Sequence, residues 1–210
     1  SVYEGSILDL SFEPTKRVVL EEMTGIDCPN CPLGILSIEK CEKAFGEQFI
    51  PVSIHTYTGD PWAGTFSSYS NFLGLSAAPS ARINRTDGIF YPFVSRGGEY
   101  LDSDAEAPVW YDIVARELNR LAPCDIALTA QLDEQQKQLN YTADVRYAID
   151  ADNQNLSLLI LVLENGLVNY QANNLGSVEK SILGEWGMGG ANSGVYAYPV
   201  THNDVVRSVV

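Results

Sequence analysis

The sequence predicts an α/β domain over residues 18–123, preceded by a lead-in strand over 1–17 and followed by an all-β sandwich over 124–210. Three observations carry that expectation. Between 18 and 123 the apolar pattern switches repeatedly between short buried runs and the three-to-four-residue spacing of amphipathic helices. After Ala122-Pro123 the helical spacing stops, and apolar residues alternate instead, beginning Ile126, Leu128, Ala130, Leu132. A Cys28-Pro29-Asn30-Cys31 motif stands where the first strong strand gives way to the first strong helix. With 210 residues, 45% hydrophobic and 10% aromatic, the chain carries enough apolar surface for two cores and too much for a disordered segment.

Each element has its own signal. Ile7, Leu8, Leu10 and Phe12 form the lead-in strand, which Pro14 ends. Residues 17–23 read as a buried strand and 28–45 as a helix. Gly34, Ile35, Ile38, Cys41 and Phe45 share one helix face, while Glu39, Lys40, Glu42 and Lys43 lie largely on the other. Gly46 closes the helix. Residues 49–57 alternate as a second strand; Asp60-Pro61 starts a helix carrying Phe66, Tyr69, Phe72 and Leu73 before Gly74. Residues 80–84 form a short strand, Thr86-Asp87-Gly88 a hairpin turn, and 89–94 the returning strand. Pro108 opens a helix that directs Trp110, Ile113, Val114, Leu118 and Leu121 inward. In the β-rich part, 126–132 and 139–149 alternate about a polar turn at 133–138. A second turn at 150–155 leads to a buried strand at 156–163. This part is shorter than the ~100 residues of an immunoglobulin-type sandwich and ends on strand-like Val209-Val210, so an incomplete C-terminal domain is expected.

Charge excludes several functions. Thirteen Lys and Arg against 27 Asp and Glu give a net charge of −14, so no basic face is available for nucleic acid, and anionic lipid surfaces are disfavoured. The longest apolar stretch, 156–163, contains Ser157 and falls far short of the ~20 residues a spanning helix needs. Ser1-Val2-Tyr3-Glu4 reads as a mature or trimmed start without a signal peptide.

The chemistry centres on sulfur. Cys28 and Cys31, three residues apart at a helix start, suit a disulfide or a shared metal, and the positive end of the helix dipole favours thiolate at Cys28. Asp27 opposes that charge, and Pro32 is tolerated only in the first turn. Three readings remain open: an exchange-competent dithiol, a stable disulfide, or metal-bound or inert thiols. Zinc lacks a second ligand pair. Cys41 lies about 15 Å further along a continuous helix, beyond the roughly 7 Å that a bridge allows, so its partner is Cys124 or none. His55 and His202, one in each expected domain, read as structural or surface residues rather than metal ligands. The run from Gly184 to Gly190 lacks a P-loop lysine and reads as a mobile loop with Trp186 as a contact. Tyr57, Trp62, Tyr69 and Tyr91 are either an aromatic rim beside the dithiol or core residues.

Taken together, residues 18–123 resemble the thioredoxin-like superfamily, with 19–22 as the strand, Cys28-Pro29-Asn30-Cys31 as the redox motif and Pro79 as its cis-proline. More narrowly, the chain resembles the family of envelope lipoproteins named after a twenty-eight-kilodalton outer membrane protein. The carriers are Leu20-Glu21-Glu22-Met23-Thr24-Gly25 before the motif, His55 through Asp60-Pro61, Pro79 with Ile83-Asn84-Arg85, and His202-Asn203-Asp204-Val205-Val206-Arg207. The resemblance implies a thioredoxin-like domain followed by an immunoglobulin-like one, held at a Gram-negative outer membrane, on its periplasmic or surface face, by a lipid anchor absent from this chain. It further implies a thiol–disulfide oxidoreductase in which Cys28 attacks, Cys31 resolves and Glu22 relays the proton. Ala78 and Pro79, with Asp27 beside them, would meet a protein or peptide substrate. Most redox-active relatives carry an aromatic residue where Asp27 stands. No cofactor or metal is expected, because sulfur exchange needs only thiolate and access. The alternative is a non-enzymatic lipoprotein that binds a protein or glycan, its Cys28–Cys31 pair a structural disulfide.

Overall fold

The computed structural model describes residues 11–64, 67–92, 95–96, 99–100, 109–149, 156–173 and 195–210. The chain divides into two compact units, residues 18–118 with 159–210, and residues 1–17 with 119–158. In chain order the larger unit holds β1 (Val18–Thr24), α1 (Pro32–Phe45), β2 (Phe49–His55), α2 (Ser67–Phe72), β3 (Ser80–Ile83), two-residue strands β4 (Ser95–Arg96) and β5 (Glu99–Tyr100), and α3 (Val109–Leu118). The smaller unit contributes β6 (Cys124–Asp133) and β7 (Gln138–Tyr147). The larger one then resumes with β8 (Leu161–Glu164), β9 (Leu167–Asn173), β10 (Val195–His202) and β11 (Val205–Val209).

A five-stranded sheet in the order β3-β1-β2-β11-β8 organises the larger unit. β1 runs parallel to β2, from Val18↔Phe49 to Thr24↔His55, and antiparallel to β3, from Leu20↔Ile83 to Met23↔Ser80. Both faces are covered, which is why β1 and β2 read as nearly continuous apolar runs. On one face Val18, Leu20, Phe49 and Ile83 pack with Ile38 and Cys41 of α1 and Trp110, Ile113 and Val114 of α3. On the other, Val52, Ile54 and Val206 pack with Tyr69, Leu73 and Leu75, the last turn of α2 and the loop after it. Trp110 is wholly buried, and its indole Nε1 donates to the Phe90 carbonyl at 3.0 Å. That bond satisfies the one polar atom its burial would otherwise strand.

The structure revises the expected domain division. Residues 159–210 do not form a separate sandwich with 124–158: β11 lies parallel beside β2, pairing Val205 with Ser53, and β8 adds antiparallel to β11. The physical reason is the edge of β2, a strand buried on both sides that leaves a row of unpaired backbone groups unless a neighbour completes it. Val205 and Val206, adjacent and both fully buried, suit such an interior position.

Several elements also differ from the sequence expectation. α1 begins at Pro32 rather than at Cys28, with Cys31 as its N-cap; Cys28 lies in the turn before it. Pro32 is therefore at the first helical position, where no N–H is required. α3 stops at Leu118, so Leu121 is 76% exposed instead of inward-facing. Among the described residues, the strand expected at 89–94 contributes a single bridge, Ala81↔Phe90. The Thr86 and Gly88 carbonyls of that turn are taken by the Arg82 guanidinium. Gly46 closes α1 as expected, at φ 51°, its N–H on the Glu42 carbonyl.

The smaller unit is an antiparallel β6–β7 hairpin, in register from Cys124↔Tyr147 to Asp133↔Gln138. Its turn is held by Asp133 Oδ1, which accepts from the Gln135 and Gln136 N–H groups. Residues 11–17 lie along it: the Thr15 N–H donates to Asp125 at 2.8 Å, and the Arg146 guanidinium sits 3.6 Å from the Phe12 ring centroid. Ile126, Leu128, Leu132 and Leu139 of the hairpin are exposed, and no second sheet of a sandwich pairs with it among the described residues. Of the expected elements, the lead-in residues Ile7, Leu8 and Leu10, the turn at 150–155 and the glycine-rich run with Trp186 lie outside the described residues.

Candidate functional site

The site grows from the end of β1. Thr24 and Gly25 turn the chain, and Gly25 has no room for a side chain, since a Cβ there would lie 2.6 Å from the Tyr57 ring. Ile26 is then pinned by Asp60, whose Oδ2 accepts from the Ile26 N–H at 3.0 Å and lies 2.7 Å from His55 Nδ1. Asp60 Oδ1 also accepts from the Trp62 N–H at 2.9 Å. Burial pushes the Asp60 carboxyl up, but the bonds from His55, Ile26 and Trp62 outweigh it and hold the acid below its usual range. The chain reaches Cys28 from a fixed platform.

Cys28 and Cys31 are joined in a disulfide, with Cα atoms 5.3 Å apart. Both are buried, Cys28 at 1% and Cys31 at 0% exposure. Gly34, one turn into α1, explains how the other expected residues converge here. A Cβ on Gly34 would sit 2.8 Å from Glu22 Oε2, 3.3 Å from the Trp110 ring and 3.4 Å from Pro79 Cβ. Only a bare backbone lets the helix tip approach the β1 acid and the proline loop together. The Ala78–Pro79 peptide bond is cis.

Glu22 is 1% exposed and its Oε1 accepts from Ser53 Oγ at 2.9 Å. Its Oε2 has no hydrogen-bond partner among the described residues. Burial raises the carboxyl to about 8, with the Asp204 charge adding and the Ser53 bond opposing, so the acid is protonated at neutral pH. A small cavity of about 60 Å³ adjoins it, lined by Ser53, His55, His202 and Asp204 among others. Asp204 is itself raised to about 6, by burial and then by Glu42. The neighbouring Glu21 is equally buried, yet chemically quite different. Arg85 grips it through Nη2 at 2.7 Å and Nε at 3.0 Å, and the Tyr69 hydroxyl donates to it as well. Of the two acids at this strand end, Glu21 is neutralised as an ion pair and Glu22 by a proton.

β9 lies over the loop before the helix. Tyr170 OH donates to Asp27 Oδ1 at 3.0 Å, Gln171 Nε2 to the carbonyls of Gly25 and Cys28 at 3.1 and 2.9 Å, and the Ala172 N–H to the Ile26 carbonyl at 2.7 Å. Asp27 is thus engaged within the chain. Sequence reasoning missed these residues, because nothing local in 167–173 says which loop the strand will meet.

Other expectations are revised. Cys41 and Cys124 are both free thiols, and the bridge considered between them is not formed. Cys41 is fully buried in the α1–α3 core, where desolvation raises its thiol to about 12; Cys124 opens β6 and pairs with Tyr147. His55 and His202 are not in separate domains: their ring centroids are 5.7 Å apart, both against Trp62, because β11, which follows His202 directly, pairs with β2. Burial, then the His55 charge, lowers His202 to about 4. No group of three or more His, Cys, Asp or Glu suited to a metal occurs among the described residues. The aromatic rim is dispersed. Tyr57 and Trp62 flank the 25–28 loop, Tyr69 is committed to Glu21, and Tyr91 is 54% exposed.

Sequence and fold comparisons give the wider class, an outer membrane protein of the Gram-negative envelope. The family model described as outer membrane protein Omp28 matches residues 66–210, over half of the chain, and the chain belongs to that family. The dithiol precedes the matched span. The solved structure of HBP35 of Porphyromonas gingivalis resembles it in fold, at 18% identity and a TM-score of 0.54, over 94% of this chain and 57% of that one. This chain therefore spans little more than half the length of that neighbour. No curated protein matches it. Among the described residues, no helix is long and apolar enough to cross a membrane.

Proposed function

We propose that this protein is a thioredoxin-like thiol–disulfide oxidoreductase of the cell envelope, acting on protein or peptide substrates. One observation carries the reading: at Gly34 the start of α1 closes on both the Glu22 carboxyl and the Pro79 loop, and the Gly34 N–H bonds the carbonyl of Cys31, a member of the Cys28–Cys31 pair. In the reduced form the Cys28 thiolate attacks a substrate disulfide, giving a mixed disulfide and releasing one substrate thiolate. Cys31 then attacks the Cys28 sulfur of the mixed disulfide and displaces the second substrate sulfur, with Glu22 as relay, its own proton passing to the leaving sulfur as it takes that of Cys31; two electrons pass to the substrate and the Cys28–Cys31 bond re-forms. Ala78 and Pro79 present the substrate backbone. Attachment to the membrane through a lipid is part of the same reading.

The test combines the reduction potential of the Cys28–Cys31 pair with turnover of a protein disulfide. A value between about −270 and −180 mV with turnover supports exchange. A second reading rests on the 1% exposure of Cys28: a permanent structural disulfide in a protein that binds an envelope protein or glycan. That reading expects a potential below about −300 mV and no turnover.

A further inference from the structure

The covering strand is more than a packing element. Across the loop 25–28, four successive residues each offer one acceptor: the Gly25 and Ile26 carbonyls, the Asp27 carboxylate and the Cys28 carbonyl. All four are occupied by three consecutive residues of β9, Tyr170, Gln171 and Ala172. Gln171 is 1% exposed, so its amide is committed wholly to this contact, with a further bond to the Ala172 carbonyl. On its other side β9 pairs with β10, including Ala172↔Tyr196 and Gln171↔Ala197. Leu167 and Tyr170 hold the strand against Ile26, Trp62 and Val205.

A disulfide is cleaved only when a nucleophile reaches one sulfur along the bond axis, so access is as much a condition of exchange as thiolate. Cys28 is 1% exposed in the structure in which β9 is seated, so it offers no such approach. We propose that β9 is an autoinhibitory cover: Tyr170, Gln171 and Ala172 hold the dithiol closed, and an extended peptide partner opens it by offering its own N–H donors to the carbonyls of 25–28. This rests on the reading of Cys28–Cys31 as an exchanging pair. The part of the contact over residues 25–28 is suited to displacement because a partner backbone reproduces its hydrogen bonds, while the apolar contact of Leu167 and Tyr170 with Ile26, Trp62 and Val205 keeps the strand seated until a partner competes.

The test uses the whole chain and a small reductant, dithiothreitol, which reads access without requiring a protein substrate. The rate of Cys28–Cys31 reduction is followed by thiol trapping and intact mass for wild type, Gln171→Ala and Tyr170→Phe, with Tm recorded for each. The expected result is at least a tenfold faster reduction in Gln171→Ala and a several-fold increase in Tyr170→Phe, both still folding cooperatively. Rates within twofold of wild type in the folded variants overturn the cover; if Gln171→Ala fails to fold, Tyr170→Phe decides alone. Faster reduction without turnover of a protein disulfide upholds the cover and sinks the oxidoreductase reading. Turnover with unchanged reduction rates does the reverse.

Discussion

Glu22 and Glu21 are neighbours in sequence with the same side chain, and the fold gives them opposite chemistry. Arg85, itself exposed, supplies the buried Glu21 with a counter-charge, while Glu22 has only the Ser53 hydroxyl and keeps its proton up to about pH 8. An acid that ionises near 4.5 when unfolded and near 8 when folded binds more protons in the native state between those values. Its contribution to stability is therefore complete below about pH 4.5 and lost as pH rises through 8. Glu22→Gln should gain on wild type progressively across that window in urea unfolding, by at most about 4–5 kcal/mol at ~1.4 kcal/mol per pKa unit. A difference that is flat with pH would remove Glu22 as the protonated acid. His202 runs the other way. Lowered to about 4, it stays neutral in the fold, and stability is lost as pH falls from 6.5 towards 4. Its NMR ring signals should remain those of neutral imidazole at pH 5.5, where an ordinary histidine is mostly charged.

At the scale of elements, two contacts determine how the dithiol is presented. Gly34 lets α1 sit directly on Glu22 and Pro79. Gly34→Ala adds one methyl to a site with no room for it, and overpacking should cost about 1–3 kcal/mol despite the better helix propensity of alanine. A variant as stable as wild type, measured by chemical denaturation, would show that the helix tip is free to lift. Asp60 does comparable work from the loop after β2. It satisfies the Ile26 and Trp62 N–H groups and the His55 ring together. Asp60→Ala leaves several buried donors without acceptors and should cost about 2–5 kcal/mol. Greater proteolytic sensitivity near residues 25–28 is the accompanying local sign.

For the molecule as a whole, the sheet order has a consequence that a division at 123/124 would not have. β11 completes the edge of β2, and Val206 belongs to the same core as Val52, Ile54 and Leu73. A fragment ending at Pro123 exposes that strand edge and one apolar sheet face. It should show no cooperative thermal transition, whereas the full chain unfolds cooperatively. A well-folded fragment would restore the simple two-domain division. A charge introduced into the same core, Val206→Asp, should be as damaging as the truncation, since an unpaired carboxylate cannot be buried there.

The local signals in this sequence were sufficient for most of the α/β part. Strand and helix periodicity located β1, α1, β2, β3 and α3, the turn residues located the β6–β7 hairpin, and Gly46 located the end of α1. Spacing singled out Cys28 and Cys31, and the resemblance to the thioredoxin-like superfamily implied Glu22 and Pro79 beside them. What only the tertiary structure decided was pairing at long range: that β8 and β11 join the first sheet, that His55 and His202 meet, that Cys41 and Cys124 stay free thiols, and that Gln171 bonds the Cys28 carbonyl. Alternation tells a strand which of its faces is apolar, but its backbone donors and acceptors are the same in every strand. The choice of neighbour is therefore made by which edge is left open and which core is left uncovered once the whole chain has folded.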